Sequence, residues 1–149
     1  MTALEQLNDF AFDQDYTVFS KRIDSIEKGC CLTNSTVSVI LINRTAIADS
    51  ADEICVLAEE MGHLQTGAVL PVEDYIDPGH KKWTKAKNEL RAERWAITKL
   101  LPPEKIQAAI NYGCINNWEI AEYYDVTVSF VEKAFEFYRK KRIEFVYSI

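Results

Sequence analysis

The sequence predicts an α+β fold that is mainly helical, and three observations carry this reading. Val37-Ser38-Val39-Ile40-Leu41-Ile42 is rich in β-branched residues and short enough for one buried strand. Residues from Ser50 to about Gly62, and from about Lys81 to Leu101, place apolar side chains at helical spacing. Beyond Pro102-Pro103 come three shorter helical stretches, around residues 104–112, 117–124 and 127–142, with short connections at Gly113 and Asp125-Val126-Thr127.

Each element has its own local signal. Residues 1 to about 28 mix Leu4, Leu7, Phe10, Phe12 and Phe19 with acids, a pattern that predicts one or two amphipathic helices. From Cys30 to Asn43 the pattern is that of a hairpin, with Thr33-Asn34-Ser35 as its turn and the β-branched run as its second strand. Ser50 and Glu53 have the spacing of a capping box, which starts a helix through Ile54-Cys55-Val56-Leu57-Ala58 that ends near Gly62 or just beyond. Thr66 to Gly79 holds Gly67, Pro71 and Pro78 without a sustained period and reads as a long loop, a class of segment that is often functional. The next helix carries Ala86, Leu90, Ala96, Ile97 and Leu100 on one stripe, and the proline pair stops it. These elements predict a first unit over residues 1–103 and a helical extension over 104–149 packed on it.

Composition narrows the function classes. The chain has 149 residues, enough for one domain with a buried core, and its 48% hydrophobic and 27% charged content excludes disordered and collagen-like classes. A net charge of −6 weighs against general nucleic-acid binding. The charge is uneven, since residues 81–99 hold seven lysines and arginines against two acids. No apolar run is long enough to span a bilayer, and Met1-Thr2-Ala3-Leu4-Glu5 is not the start of a secretory leader, so a cytoplasmic location is expected. Cys30, Cys31, Cys55 and Cys114 form no Cys-x-x-Cys pair and read as buried thiols.

The stretch that carries chemistry is Ala58-Glu59-Glu60-Met61-Gly62-His63. On a helix Glu59 and His63 share a face one turn apart, with Glu60 beside them. The zincin motif His-Glu-x-x-His has this geometry: two His bind zinc, and the Glu between them is the general base. Here Glu59 stands where that motif has its first His. The competing reading is a pair of solvated acids near a helix end; against it stand the five apolar residues before Glu59, because a buried carboxylate persists only when paired or metal-bound. On the later helix Glu89 and Glu93 fall on or beside the apolar stripe, so either is a candidate third ligand. Their alternative role is pairing with Lys85, Lys87, Arg91 and Arg94 on a helix surface. Cys55 lies two turns from His63, about 12 Å along a helix, too far to share one ion with it. His80, the other histidine, sits among Asp77, Pro78 and Gly79 in a loop and reads as solvated.

These residues resemble the ImmA/IrrE family, in particular its short members from phages and mobile elements. Cys55-Val56-Leu57-Ala58-Glu59-Glu60-Met61-Gly62-His63 is similar to the family's helix, in which many members read Leu-Ala-His-Glu-Leu-Gly-His. Glu89-Leu90-Arg91-Ala92-Glu93-Arg94-Trp95-Ala96, ahead of Leu100-Leu101-Pro102, is similar to its second-helix signature. The resemblance implies a zincin-like core and a zinc-dependent endopeptidase that inactivates a helix-turn-helix repressor. It also implies metal ligation by Glu59, His63 and Glu89, with Glu93 as the fallback for the third ligand, and Glu60 as the base. Glu59 departs from the family pattern. Two carboxylates and one neutral imidazole cancel the charge of a divalent ion, which makes bound water less acidic and narrows the preference for zinc over manganese. The other outcome is a metal-free or inactive member acting as a non-enzymatic regulator that binds the repressor or DNA.

Residues 119–131 resemble a helix-turn-helix, with Glu119-Ile120-Ala121-Glu122-Tyr123-Tyr124, then Val126, then Phe130-Val131. A DNA-reading helix needs basic side chains in its N-terminal half, whereas this one offers Ser129, Glu132 and Lys133. A structural or partner-docking role is therefore expected in preference to direct DNA binding.

Overall fold

The computed structural model describes residues 1–34, 36–67 and 78–147, with side chains from residue 88 onward in the last of these segments. Among them the chain forms six helices and one small three-stranded sheet, the mainly helical α+β fold that the sequence predicts. Helix α1 spans Ala3–Asp13 and begins with a complete capping box, in which Thr2 and Glu5 satisfy each other's backbone N–H groups at 2.6 and 3.2 Å. The helical expectation for residues 1–28 fails beyond Asp13. Asp15 adopts φ 59°, and Tyr16–Lys21 is strand β1, whose Tyr16, Thr17, Val18 and Phe19 suit a pleated surface better than a second helix.

The predicted hairpin is present as β2 (Gly29–Thr33) and β3 (Ser38–Asn43), antiparallel with Cys31 opposite Ile40. Its turn is held by the Asn34 side chain, whose Oδ1 accepts from the backbone N–H groups of Thr36 and Val37, each at 2.8 Å. β1 pairs parallel to β3, so the order is β1-β3-β2 and the apolar β3 is central, with Ile40 and Ile42 fully buried. At the end of β3 the buried Asn43 fixes two loops. Its Nδ2 donates to the carbonyls of Ser25 and Glu27, and its Oδ1 accepts from the N–H groups of Ile23 and Thr45.

Helix α2 spans Ser50–Thr66 and differs from its sequence expectation at both ends. Its cap is Asp49, which accepts from the Asp52 N–H at 2.8 Å; the Ser50–Glu53 capping box does not form because the Arg44 guanidinium grips Glu53 in a forked ion pair. The helix runs on through Gly62 and ends at Gly67 in the left-handed conformation. Gly62 is inside the helix for a packing reason. A Cβ there would overlap the Ala92 carbonyl oxygen and lie 3.0 Å from Ala92 Cα.

Ala92 belongs to α3 (Pro78–Leu100), which turns Ala92, Ala96, Ile97 and Leu100 inward and stops at Pro102-Pro103 as predicted; Leu90, expected on the stripe, is exposed. The loop expectation for 66–79 falls largely on residues outside the described ones. Three helices follow: α4 (Pro103–Tyr112), α5 (Asn117–Tyr124) and α6 (Val128–Lys140). Between α5 and α6 Asp125 adopts φ 52°, Val126 is buried and Thr127 caps α6, which makes the tight helix-turn-helix connection read from the sequence. The buried side chains of all these helices join one hydrophobic cluster with those of α1, α2 and β3, each Leu or Ile of which stabilises by ~1.5–3 kcal/mol. No helix among the described residues is long and apolar enough to cross a membrane.

Gly62→Ala tests the close crossing. Helix propensity alone would stabilise by about 1 kcal/mol. The overlap with Ala92 should override that gain and cost ~1–3 kcal/mol in a denaturant titration. A more stable variant would show that α2 and α3 do not meet there.

Candidate metal centre

The crossing of α2 and α3 at Gly62 and Ala92 decides which polar side chains meet. His63 follows Gly62, and Glu89 and Glu93 bracket Ala92 on α3, three residues before it and one after. His63 Nε2 consequently lies 3.4 Å from Glu89 Oε1, with the imidazole nearly buried and the carboxylate about half exposed. Glu93 goes elsewhere, its Oε2 standing 4.0 Å from Lys133 Nζ on α6. Of the two acids the sequence offers as a third ligand, Glu89 is therefore the one beside His63.

Glu59 and Glu60 are each half-buried on α2. Burial pushes the Glu59 carboxyl above the usual carboxylate range; Lys133 opposes this, while Glu93, Glu89 and Glu60 reinforce it. Burial likewise raises Glu60, opposed by His63 and by the neighbouring Cys31 thiol. Glu60 fits against the sheet because β2 has Gly29 at that point, where a Cβ would lie 3.3 Å from Glu60 Cγ and 2.8 Å from Val56 Cγ1. The Cys31 thiol is itself pushed well up by burial and by the Glu60 charge, so it stays protonated and remains a donor.

The sequence-predicted residues thus gather unequally. His63 and Glu89 touch, Glu60 sits beside them against β2, and Glu59 shares its surroundings with Lys133 and Glu93. Among the described residues no three side chains of His, Cys, Asp and Glu come together closely enough to hold a metal ion. His80 and the cluster Lys81, Lys82 and Lys85 lie outside the described side chains. Cys55 is a core thiol, as expected: it accepts a hydrogen bond from Thr127 Oγ1 at 3.9 Å and burial pushes its pKa to about 11. Sequence reasoning missed Cys31 and Lys133 as site residues. The period of two on β2, which puts Gly29 and Cys31 on one face, was the available signal for the first; the position of Lys133 at the edge of the buried Phe130 and Ala134 stripe was the signal for the second.

The IrrE N-terminal-like domain of peptidase family M78 matches residues 12–136, a range that contains the sheet, the α2–α3 crossing and most of α6. This chain belongs to that family. No curated protein and no solved structure matches it. Membership of the M78 family supports a metallopeptidase-type function, and the matched range runs through the helix-turn-helix-like stretch to include Lys133.

The raised carboxyls set a pH dependence in the metal-free protein. A carboxyl whose folded pKa exceeds its unfolded value favours the folded state at low pH, and that stabilisation is lost as pH rises from the unfolded value near 4.5 through the folded one. Glu60→Gln removes one such group and keeps an acceptor for Cys31. The variant should melt above wild type at pH 7, with the difference shrinking toward pH 4; a lower melting temperature at pH 7 would contradict the burial cost assigned to Glu60.

Proposed function

We propose that this chain is a cytoplasmic metal-dependent endopeptidase of a phage or mobile element that cuts a helix-turn-helix repressor. In this reading Glu59, His63 and Glu89 are the metal ligands and Glu60 is the general base. The observation that carries it is the 3.4 Å approach of His63 Nε2 to Glu89 Oε1 across the α2–α3 crossing, with Glu60 one turn away. The donor set suits a divalent ion in chemistry. An imidazole and a carboxylate already face each other, and two further carboxyls raised by burial lie within electrostatic reach of Glu89. Completion of the set requires the Glu59 carboxyl to join His63 and Glu89, which a change of rotamer on a fixed helix would accomplish. Zinc held there supplies Lewis acidity that activates water and polarises the scissile carbonyl, and the carboxylate-rich set also admits manganese.

The protein residues divide the remaining work. Glu60 takes the proton from the attacking water and passes it to the leaving amine, for which a carboxylate with a raised pKa is suited. The Cys31 thiol lies beside that carboxylate, and β2 packs against it at Gly29. His63 is oriented through Glu89.

The second reading is a non-catalytic regulator that keeps the fold and binds the repressor. The absence of a ready group of three donors among the described residues favours it, as does the Lys133 ammonium beside Glu59. Two substitutions separate the readings. Glu60→Gln should keep the metal and lower cleavage of the repressor by at least about a hundredfold, since general base catalysis contributes 10²–10⁴-fold. Glu59→His restores a second neutral imidazole and should raise the cleavage rate. If wild type and Glu59→His both bind metal at one ion per chain and neither cuts the repressor, the regulator reading replaces the peptidase.

A further inference from the structure

We infer that Lys133 on α6 is a tethered counter-cation for the acidic centre, paired with Glu93 and facing Glu59 across a shared cavity, whose charge opposes that of a divalent ion bound beside it. The inference rests on the metal-site reading and deepens it by naming the group that sets metal affinity. Three observations place Lys133 there. Its ammonium is 4.0 Å from Glu93 Oε2. Together with Glu59 it lines a cavity of about 270 Å³ between α2 and the start of α6, whose wall also includes Thr127, Ser129 and Phe130. On the other side it lines a second cavity of about 260 Å³ with Glu93, Leu90 and Glu136. Lys133 thus stands on the ridge between two cavities, one opening to each acid.

Its backbone is fixed while its head is free to move. Phe130, Val131 and Ala134 are fully buried and anchor α6, whereas the Lys133 side chain is 45% exposed and carries its charge on a flexible stem. The centre contains Glu59, Glu60, Glu89 and Glu93, and the geometry gives Lys133 the role that the metal charge takes on binding. Where the family pattern has a neutral His, Glu59 adds a negative charge within electrostatic reach of Lys133. The lysine offsets that charge electrostatically in the metal-free protein.

The experiment is a zinc titration of the full chain against a competing chelator, for wild type, Lys133→Met, Lys133→Arg and His63→Ala. Removing one partly exposed positive charge beside a ligand should tighten zinc binding about threefold to tenfold in Lys133→Met, an effect that shrinks as salt is raised; Lys133→Arg should keep the wild-type affinity. His63→Ala should lose the site. His63-dependent binding that is unchanged or weaker in Lys133→Met overturns the counter-cation role alone. Zinc binding absent from every variant overturns it together with the metal site. Circular dichroism on the same samples reports folding, and a Lys133→Met chain that does not fold is replaced by Lys133→Gln under the same criteria.

Discussion

Everything at the candidate centre depends on how closely α2 and α3 approach at Gly62. A helix interior disfavours glycine by about 1 kcal/mol relative to alanine. That cost is offset because the bare backbone lets the Ala92 carbonyl settle where a side chain would otherwise stand. With the two backbones in contact, the residues flanking the crossing have little choice of neighbour. His63 must face α3 one turn before Ala92, where Glu89 is, and Glu93 must project past the crossing toward α6. A second glycine repeats the device on a smaller scale, since Gly29 lets β2 close over Glu60. The small residues of this fold mark where functional side chains are pressed together.

Packing that close concentrates negative charge. Glu59 and Glu60 are adjacent in sequence and half-buried, Glu89 and Glu93 are one turn apart on the facing helix, and burial raises the first two. Such a cluster is tolerable only with compensation. The described structure divides that task between His63, the Cys31 thiol and Lys133, three residues from three different elements. Fold and chemistry are linked here through α6. The element that closes the hydrophobic cluster with Phe130 and Val131 also delivers the lysine.

Much of this was legible in the sequence. The 3.6-residue period and the proline pair located α3 and its end, the β-branched run located β3, and the Glu-Glu-x-x-His spacing named the candidate residues on α2 because it depends only on helix geometry. Local signals failed where a longer-range interaction won. Ser50 and Glu53 have capping-box spacing, but Arg44 claims Glu53 from the preceding loop. Gly62 resembles a helix end and is instead a helix-crossing point. Tyr16–Lys21 follows a helix and contains acids nearby, and its strand character comes from pairing with β3 some twenty residues later. The choice of Glu89 over Glu93 beside His63, and the arrival of Lys133 from 74 residues downstream of Glu59, are products of tertiary packing that no local pattern encodes.

The central claim is that the α2–α3 crossing builds one divalent-metal site from His63, Glu89 and Glu59. The most direct test is visible absorption of the full chain titrated with Co²⁺, whose ligand-field bands report coordination by imidazole and carboxylate whether or not the protein is catalytic. The account predicts bands that saturate at one ion per chain in wild type, vanish in His63→Ala and Glu89→Ala, and shift in Glu59→His. Bands that persist unchanged in His63→Ala, or a wild-type chain that gives none, would contradict it.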